Sequence, residues 1–335
     1  MLYRVSRLVV TLVLMFWLYP ASSYPQGRGV VTVVYYPPWN VSKVPLHLAQ
    51  ETGLFEKNGL KVSLRNAGSN DNLLKAMANR EADFYVASSN HVIQNKVLDG
   101  PDLRIVANAG HLYFRLLVDR SITLAADLKG KKIATAELGH TPDQLARVIL
   151  RKLGLDPEKD VTRVPYPDGS MSRAKALVAG EVAAAVASSD VIFELERSGE
   201  MQKLRILADH NTLNIYSGDG ADYAVSAIFL RQSRNEAKRF VQSVCEGMVL
   251  AKQDKSRALG ILSKIRPQAD HATLEFLYRV YLETVPEQPR PKPQSVALML
   301  EIMGYADPRV KDINAENLIE SSLMRELEKD GFCNS

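Results

Sequence analysis

The sequence predicts an α/β protein with two similar lobes, each a mainly parallel sheet flanked by helices, followed by a helical C-terminal region. Three observations predict this class. Short β-branched runs alternate with longer amphipathic stretches, the pattern of crossover units. The same order of strand and helix is written twice. And Val86-Ala87-Ser88-Ser89-Asn90 returns one hundred residues later as Val186-Ala187-Ser188-Ser189-Asp190, with seven identities in seventeen between residues 74–90 and 174–190. Matching element order in both halves makes the pair equivalent positions of two lobes.

Residues 30–36 read as a buried strand, stopped by Pro37 and Pro38. Residues 45–53 read as a helix with proline in its first turn and glycine near its end. Strand 60–64, helix 70–79, strand 82–87, helix 90–98 and strand 103–107 complete the first series. The second opens on the charged turn 128–132 before strand 133–136. Thr141-Pro142-Asp143 then starts a helix: threonine caps, proline suits the first position, and aspartate complements the dipole. That helix ends around Gly154, and residues 161–165, 174–179, 182–187, 191–197 and 204–207 repeat the order. Residues 223–229 are strand-like. Helices are expected at 235–252, 256–265, 272–284, 295–303 and 316–327, interrupted by Pro286, Pro289, Pro291 and Pro293 in a stiff surface linker. The expected division is residues 24–115 for the first part of lobe 1, 116–215 for lobe 2, and 216–335 for the return to lobe 1 and the C-terminal helices.

The first 23 residues differ in kind. Arg4 and Arg7 precede an apolar run, 8–18, about half as long as a spanning helix needs, and small residues stand at Ala21 and Ser23. This is the outline of a cleavable signal peptide, and no cysteine stands near its end to carry a lipid. The chain has 335 residues, 46% hydrophobic and 24% charged, with a formal charge of +4 that falls to +2 without Arg4 and Arg7. Its basic residues are scattered, so there is no nucleic-acid or anionic-membrane footprint. A soluble protein outside the cytoplasm is expected. Cys245 and Cys333 are the two cysteines. Cys245 reads as a small core residue and Cys333 as part of a polar tail; an oxidising compartment would also allow them to pair, and both readings stand.

In an open parallel sheet, ligands gather outside the carboxyl ends of strands, where helix N–H groups point outward. Ser88-Ser89-Asn90, Ser188-Ser189-Asp190, Gly68-Ser69-Asn70-Asp71, Gly139-His140-Thr141 and Asp168-Gly169-Ser170-Met171 occupy such places. Their side chains can cap helices, bind a ligand, or do both. Five such turns from two facing lobes suit a small polar or anionic solute. Trp39, in a loop after two prolines, is the aromatic best placed to touch it, whereas Tyr35 and Phe114 read as packing. Asp190 reads as a helix cap, because a carboxylate beside an anion is unfavourable. The six histidines show no metal-ligand spacing, and neither a C-x-x-C, an H-E-x-x-H nor a nucleotide-binding fingerprint occurs. No cofactor and no catalytic residue are expected.

Val44 to Phe55 with Asn58-Gly59-Leu60 resembles the first helix and second strand of solute-binding proteins from nitrate, sulfonate and taurine ABC transporters. Asn79-Arg80-Glu81-Ala82-Asp83-Phe84, Asp127 to Ala134 and Gly180 to Val186 match that family in order, and Asn317 to Phe332 resembles its closing helix. The resemblance implies a two-lobed type II periplasmic-binding fold that closes around a small anionic solute and presents it, as a periplasmic monomer, to an ABC permease and its ATPase. By position it carries ligand contact onto Trp39, Ser69, Ser89, Asn90, Thr141 and Ser189, and onto His111 and Tyr216. A related branch synthesises a thiamine pyrimidine precursor with a cysteine-rich iron motif. That motif is missing here, so a binding protein is expected; an enzyme on the same fold and an extracellular sensor are the alternatives.

Overall fold

The computed structural model describes residues 29–35, 41–110, 114–136, 141–166, 168–209, 212–213, 222–304 and 307–333. The chain runs through β1 (Val31–Tyr35), α1 (Val44–Glu51), α2 (Leu54–Lys57), β2 (Val62–Asn66), α3 (Asn70–Ala78), β3 (Phe84–Ala87), α4 (Ser89–Val97) and β4 (Leu103–Asn108). It then builds β5 (Phe114–Asp119), β6 (Lys132–Thr135), α5 (Thr141–Lys152), β7 (Thr162–Pro165), α6 (Ser170–Val178), β8 (Ala184–Ser188), α7 (Ser189–Arg197) and β9 (Leu204–Asp209). It closes with β10 (Asp222–Ser226) and helices α8 (Ala227–Gln232), α9 (Arg234–Gln253), α10 (Lys255–Ile265), α11 (His271–Thr284), α12 (Pro293–Gly304) and α13 (Ser322–Lys329).

These strands form two five-stranded mixed sheets, ordered β2-β1-β3-β10-β4 and β7-β6-β8-β5-β9. In each sheet four strands share one direction and a fifth, β10 or β5, is inserted antiparallel next to the last. The inserted strands are where the chain has just crossed from the other sheet, so each lobe is completed by a segment leading in from its neighbour. Even the irregularities coincide: the ladder shifts between Tyr223 and Ala224 in one lobe and between Leu116 and Leu117 in the other. Helices α3 and α6 share length and an offset of one hundred residues. The repeat read from the sequence is therefore a repeat of structure.

Packing follows composition. One apolar cluster joins the faces of β1, β3 and β10 to α1, α9, α10 and α11. In it α1 lies so close to α9 that a Cβ at Gly247 would stand 2.4 Å from the Pro45 carbonyl oxygen, which only glycine permits. A second cluster runs from Val34, Tyr85 and Ile105 of the first sheet through Val296, Met299 and Ile302 of α12 to Ile133 and Val186 of the second. Helix α12 thus joins the lobes. Phe193 of α7 stacks on Phe276 of α11 at 4.2 Å, and Arg115 of β5 pairs with Glu283 of α11 at 3.3 Å. Lobe 2 also holds a compact ion network, in which the fully buried Asp143 carboxylate accepts from Arg163 at 2.6 Å and from Arg147 at 3.2 Å.

Several expectations are corrected. Strand β5 was absent from the predicted order. The strand-like run 223–229 stops at Ser226, and residues 227–232 are helical. Residues 316–327 are a 3-10 turn, Ala315–Leu318, then α13; between them Ile319 bridges Ile105, and Glu320 donates its N–H to the Ile105 carbonyl. The proline linker is not wholly superficial, since Pro289 and Pro291 are buried and Pro293 begins α12. Cys245 and Cys333 form a disulfide that fastens the end of the chain to α9.

Candidate functional site: the strand ends of the two lobes

In lobe 1 the carboxyl ends of β1, β3 and β4 and the start of β10 carry a group of buried polar side chains. The 3-10 turn Val41–Lys43 brings Ser42 and Lys43, and α1 brings His47, whose ring meets Tyr35 edge-on at 5.6 Å. A Cβ at Gly110 would stand 2.4 Å from Cβ of Ser42, so glycine lets the end of the β4 segment close on this turn. Asn108 donates from Nδ2 to the Asp222 carboxylate at 2.7 Å, and its Oδ1 accepts from the Gly110 N–H at 3.1 Å.

The turn into α4 adds further buried polar groups. Ser88 stands at the N-cap position, Ser89 is 0% exposed, and its hydroxyl has no hydrogen-bond partner among the described residues. The Ser88 hydroxyl donates to Asn90 Oδ1. His91 Nδ1 lies 3.2 Å from the Ser88 hydroxyl oxygen and 3.3 Å from its carbonyl. With the Ser88 proton committed to Asn90, the imidazole proton falls on Nδ1, leaving Nε2 as an acceptor. Burial, reinforced by the nearby Lys43 ammonium, lowers the His91 pKa to about 4. Burial lowers His47 to about 4 as well, with Lys43 acting in the same sense and Glu51 against it. Both rings are neutral at pH 7, so Lys43, 4% exposed, supplies the local positive charge.

Lobe 2 repeats the frame with different chemistry. Ser188 is again at the N-cap position of its helix and Ser189 again opens it, but neither turn has a side-chain cap bond. Asp190 is exposed in the first turn of α7, where it complements the dipole; it is not the cap residue that the sequence predicted. Ser170, at the start of α6, accepts from the Ser188 N–H at 3.3 Å and so ties α6 to the carboxyl end of β8. Beside these turns a cavity of about 390 Å³ is lined by Asp168, Ser170, Met171, Asp190, Val191, Phe193 and Glu194 from lobe 2 and by Thr273, Phe276 and Leu277 from α11. A second cavity of about 400 Å³, bounded by Leu300, Glu301, Gly304, Val310, Lys311 and Ile313, includes no strand-end turn.

Of the predicted contacts, Ser89 and Asn90 share the enclosed lobe 1 turn and Ser189 stands at its lobe 2 counterpart. Ser69 is exposed, and its hydroxyl caps α3 by accepting from the Asn72 N–H at 3.2 Å. Thr141 opens α5, with its side chain outside the described residues; Trp39, His111 and Tyr216 also lie outside them. Sequence reasoning missed Ser42, Lys43, His91 and Asn108. The one available signal was the proximity of Lys43 and His47 to the proline that starts α1. Among the described residues, no group of three or more His, Cys, Asp or Glu is placed to hold a metal, and no helix is long and apolar enough to cross a membrane.

Two lobes with this strand order define the type II periplasmic-binding fold, and solved structures of that fold superpose on the chain. The periplasmic aliphatic sulphonate binding protein SsuA of Escherichia coli is 19% identical, with a TM-score of 0.66 over 89% of this chain and 100% of its own. A putative sulfonate ABC transporter's periplasmic sulfonate-binding protein SsuA, from Methylobacillus flagellatus KT, is 17% identical, with a TM-score of 0.69 over 90% and 94%. The alkanesulfonate-binding protein SsuA of Xanthomonas axonopodis pv. citri, bound to MOPS, is 19% identical, with a TM-score of 0.58 over 88% and 99%. At these identities the likeness establishes the fold. Residues 40–258 match the family model described as NMT1/THI5 like, and the chain belongs to that family. Among curated proteins no match was found.

Proposed function

We propose that the protein is the extracytoplasmic solute-binding component of an ABC importer. It closes its lobes around a small anionic organic solute of the sulfonate, carboxylate or nitrate type and delivers it to a membrane permease, without catalysing a reaction. The observation that carries this reading is the turn Ser88 to His91: a fully buried, unpartnered Ser89 hydroxyl two residues before a histidine that a buried lysine influences, at the strand ends of a sheet whose duplicate presents the same turn. A buried hydroxyl without a partner costs roughly 1–3 kcal/mol, which a bound solute would offset. The solutes named for the sulfonate-binding neighbours support the anionic class.

On this reading residues 1–23 are a signal peptide that sends a monomer to the periplasm. The lobes divide at 24–115, 116–215 and 216–335, and ligand contact falls on Trp39, Ser69, Ser89, Asn90, His111, Thr141, Ser189 and Tyr216. Closure would be a hinge motion stabilised by contacts to the solute from both lobes. Thermal melting with panels of alkanesulfonates, carboxylates and nitrate tests it. A saturable rise with one class and no chemical change in the solute is expected; no rise with any class at millimolar concentration contradicts the reading.

A further inference from the structure

We propose that Arg173 is the counter-charge that holds the anionic head of the solute, a sulfonate or carboxylate oxyanion, against the start of α6. This rests on the solute-binding reading and adds the residue that sets its charge specificity. Arg173 is 4% exposed, and its Nε is enclosed with no hydrogen-bond partner. No carboxylate among the described residues pairs with its guanidinium; Asp168 and Asp190, the acidic residues at the neighbouring turns, stand exposed at the rim. Burial accordingly depresses its pKa, with no charge acting in the other direction.

A buried cation left without a counter-ion is strongly unfavourable, and the framework does not require one here. The duplicate lobe argues for this, because the position equivalent to Arg173 in α3 is Leu73, 0% exposed in an apolar core. Its place in the first turn of α6 puts the arginine at the strand-end side of the helix. Helical side chains lean toward the helix N-terminus, so one in the first turn reaches back over that end. There the N-cap residue Gly169 has φ 97° and offers no side-chain cap, and nothing lies within 4 Å of where its Cβ would stand. Ser170 fixes this end beside Ser188, as described above. An oxyanion at that point would meet the guanidinium and the uncapped N–H groups together.

The test is calorimetric titration of the full chain with MOPS, ethanesulfonate and butyrate, together with melting in their absence. Arg173→Met and Arg173→Gln are expected to weaken binding of the preferred probe at least about a hundredfold, and Arg173→Lys less. Both neutral variants are expected to melt at or above the wild-type temperature. If Arg173→Met binds within about threefold of wild type, this assignment falls while the solute-binding reading stands. If both neutral variants melt well below wild type without probe, the arginine is structural and the assignment is overturned. If wild type takes none of the three probes, the sulfonate or carboxylate reading falls, and this assignment with it.

Discussion

The two lobes share a strand order, an inserted antiparallel strand and a ladder irregularity at the same point, yet their strand ends differ residue by residue. Lobe 1 has Ser69 capping α3, Leu73 beneath that helix, and an Asn108 to Asp222 hydrogen bond where β4 meets β10. At the corresponding places lobe 2 has Gly169 without a cap, the buried Arg173, and Arg115 opposite Asp209 in the ladder. A scaffold that tolerates either set does not need either. The differences therefore mark where the lobes are specialised, and they gather at the strand ends.

Exchanging equivalent residues is the strongest way to break this comparison. Leu73→Arg should destabilise lobe 1 by more than about 4 kcal/mol, because it buries an unpaired cation in an apolar core. Arg173→Leu should leave stability unchanged or raise it by about 1–2 kcal/mol. Urea unfolding of the two variants measures both, and equal losses would mean that the positions are not specialised differently.

The next effect is confined to lobe 2. Asp143→Ala leaves Arg163 and Arg147 without their buried partner and should cost about 3–5 kcal/mol, read as a lowered urea midpoint. A loss below about 1 kcal/mol would show that Glu158, which also pairs with both arginines, is sufficient.

Acid should act through lobe 1. The His91 and His47 values, depressed to about 4 from 6.5, mean that the unfolded chain binds the protons first as pH falls. Their contribution is complete above pH 6.5, is lost between 6.5 and about 4, and is flat below; for His91 it is about 3 kcal/mol. Unfolding between pH 7 and 4 should show this slope, and His91→Asn should flatten part of it.

The smallest contrast lies within lobe 1. Ser69→Ala removes a cap and should cost about 1 kcal/mol, while Ser89→Ala removes an unpartnered hydroxyl and should cost nothing. If the melting temperatures fall equally, the Ser89 hydroxyl has a structural partner and its role in the site is lost.

The fold was legible because its signals are local and were written twice: the alternation of strand and helix, and the hundred-residue offset that α3 and α6 reproduce. Strand β5 escaped because an antiparallel insertion has no helix beside it to complete a crossover unit, and Phe114 read as a packing aromatic. The boundary at Ser226 escaped because strand passes to helix with no glycine or proline between. In the candidate site, the turn at Ser89 and Asn90 was legible because cap residues cluster at strand ends. Lys43, His91 and Arg173 could not, since charged and polar side chains are ordinarily exposed and only the tertiary fold buries these. The Asn108 to Asp222 pair spans both crossings of the chain, a separation no local pattern encodes.

The most direct measurement is a crystal structure of the protein with the solute it retains through purification without refolding. The account predicts one solute held from both sides, by the turn Ser88 to His91 of lobe 1 and by the start of α6, Gly169 to Arg173, of lobe 2. A solute touching a single lobe, or one lodged in the cavity beside α12, would contradict it.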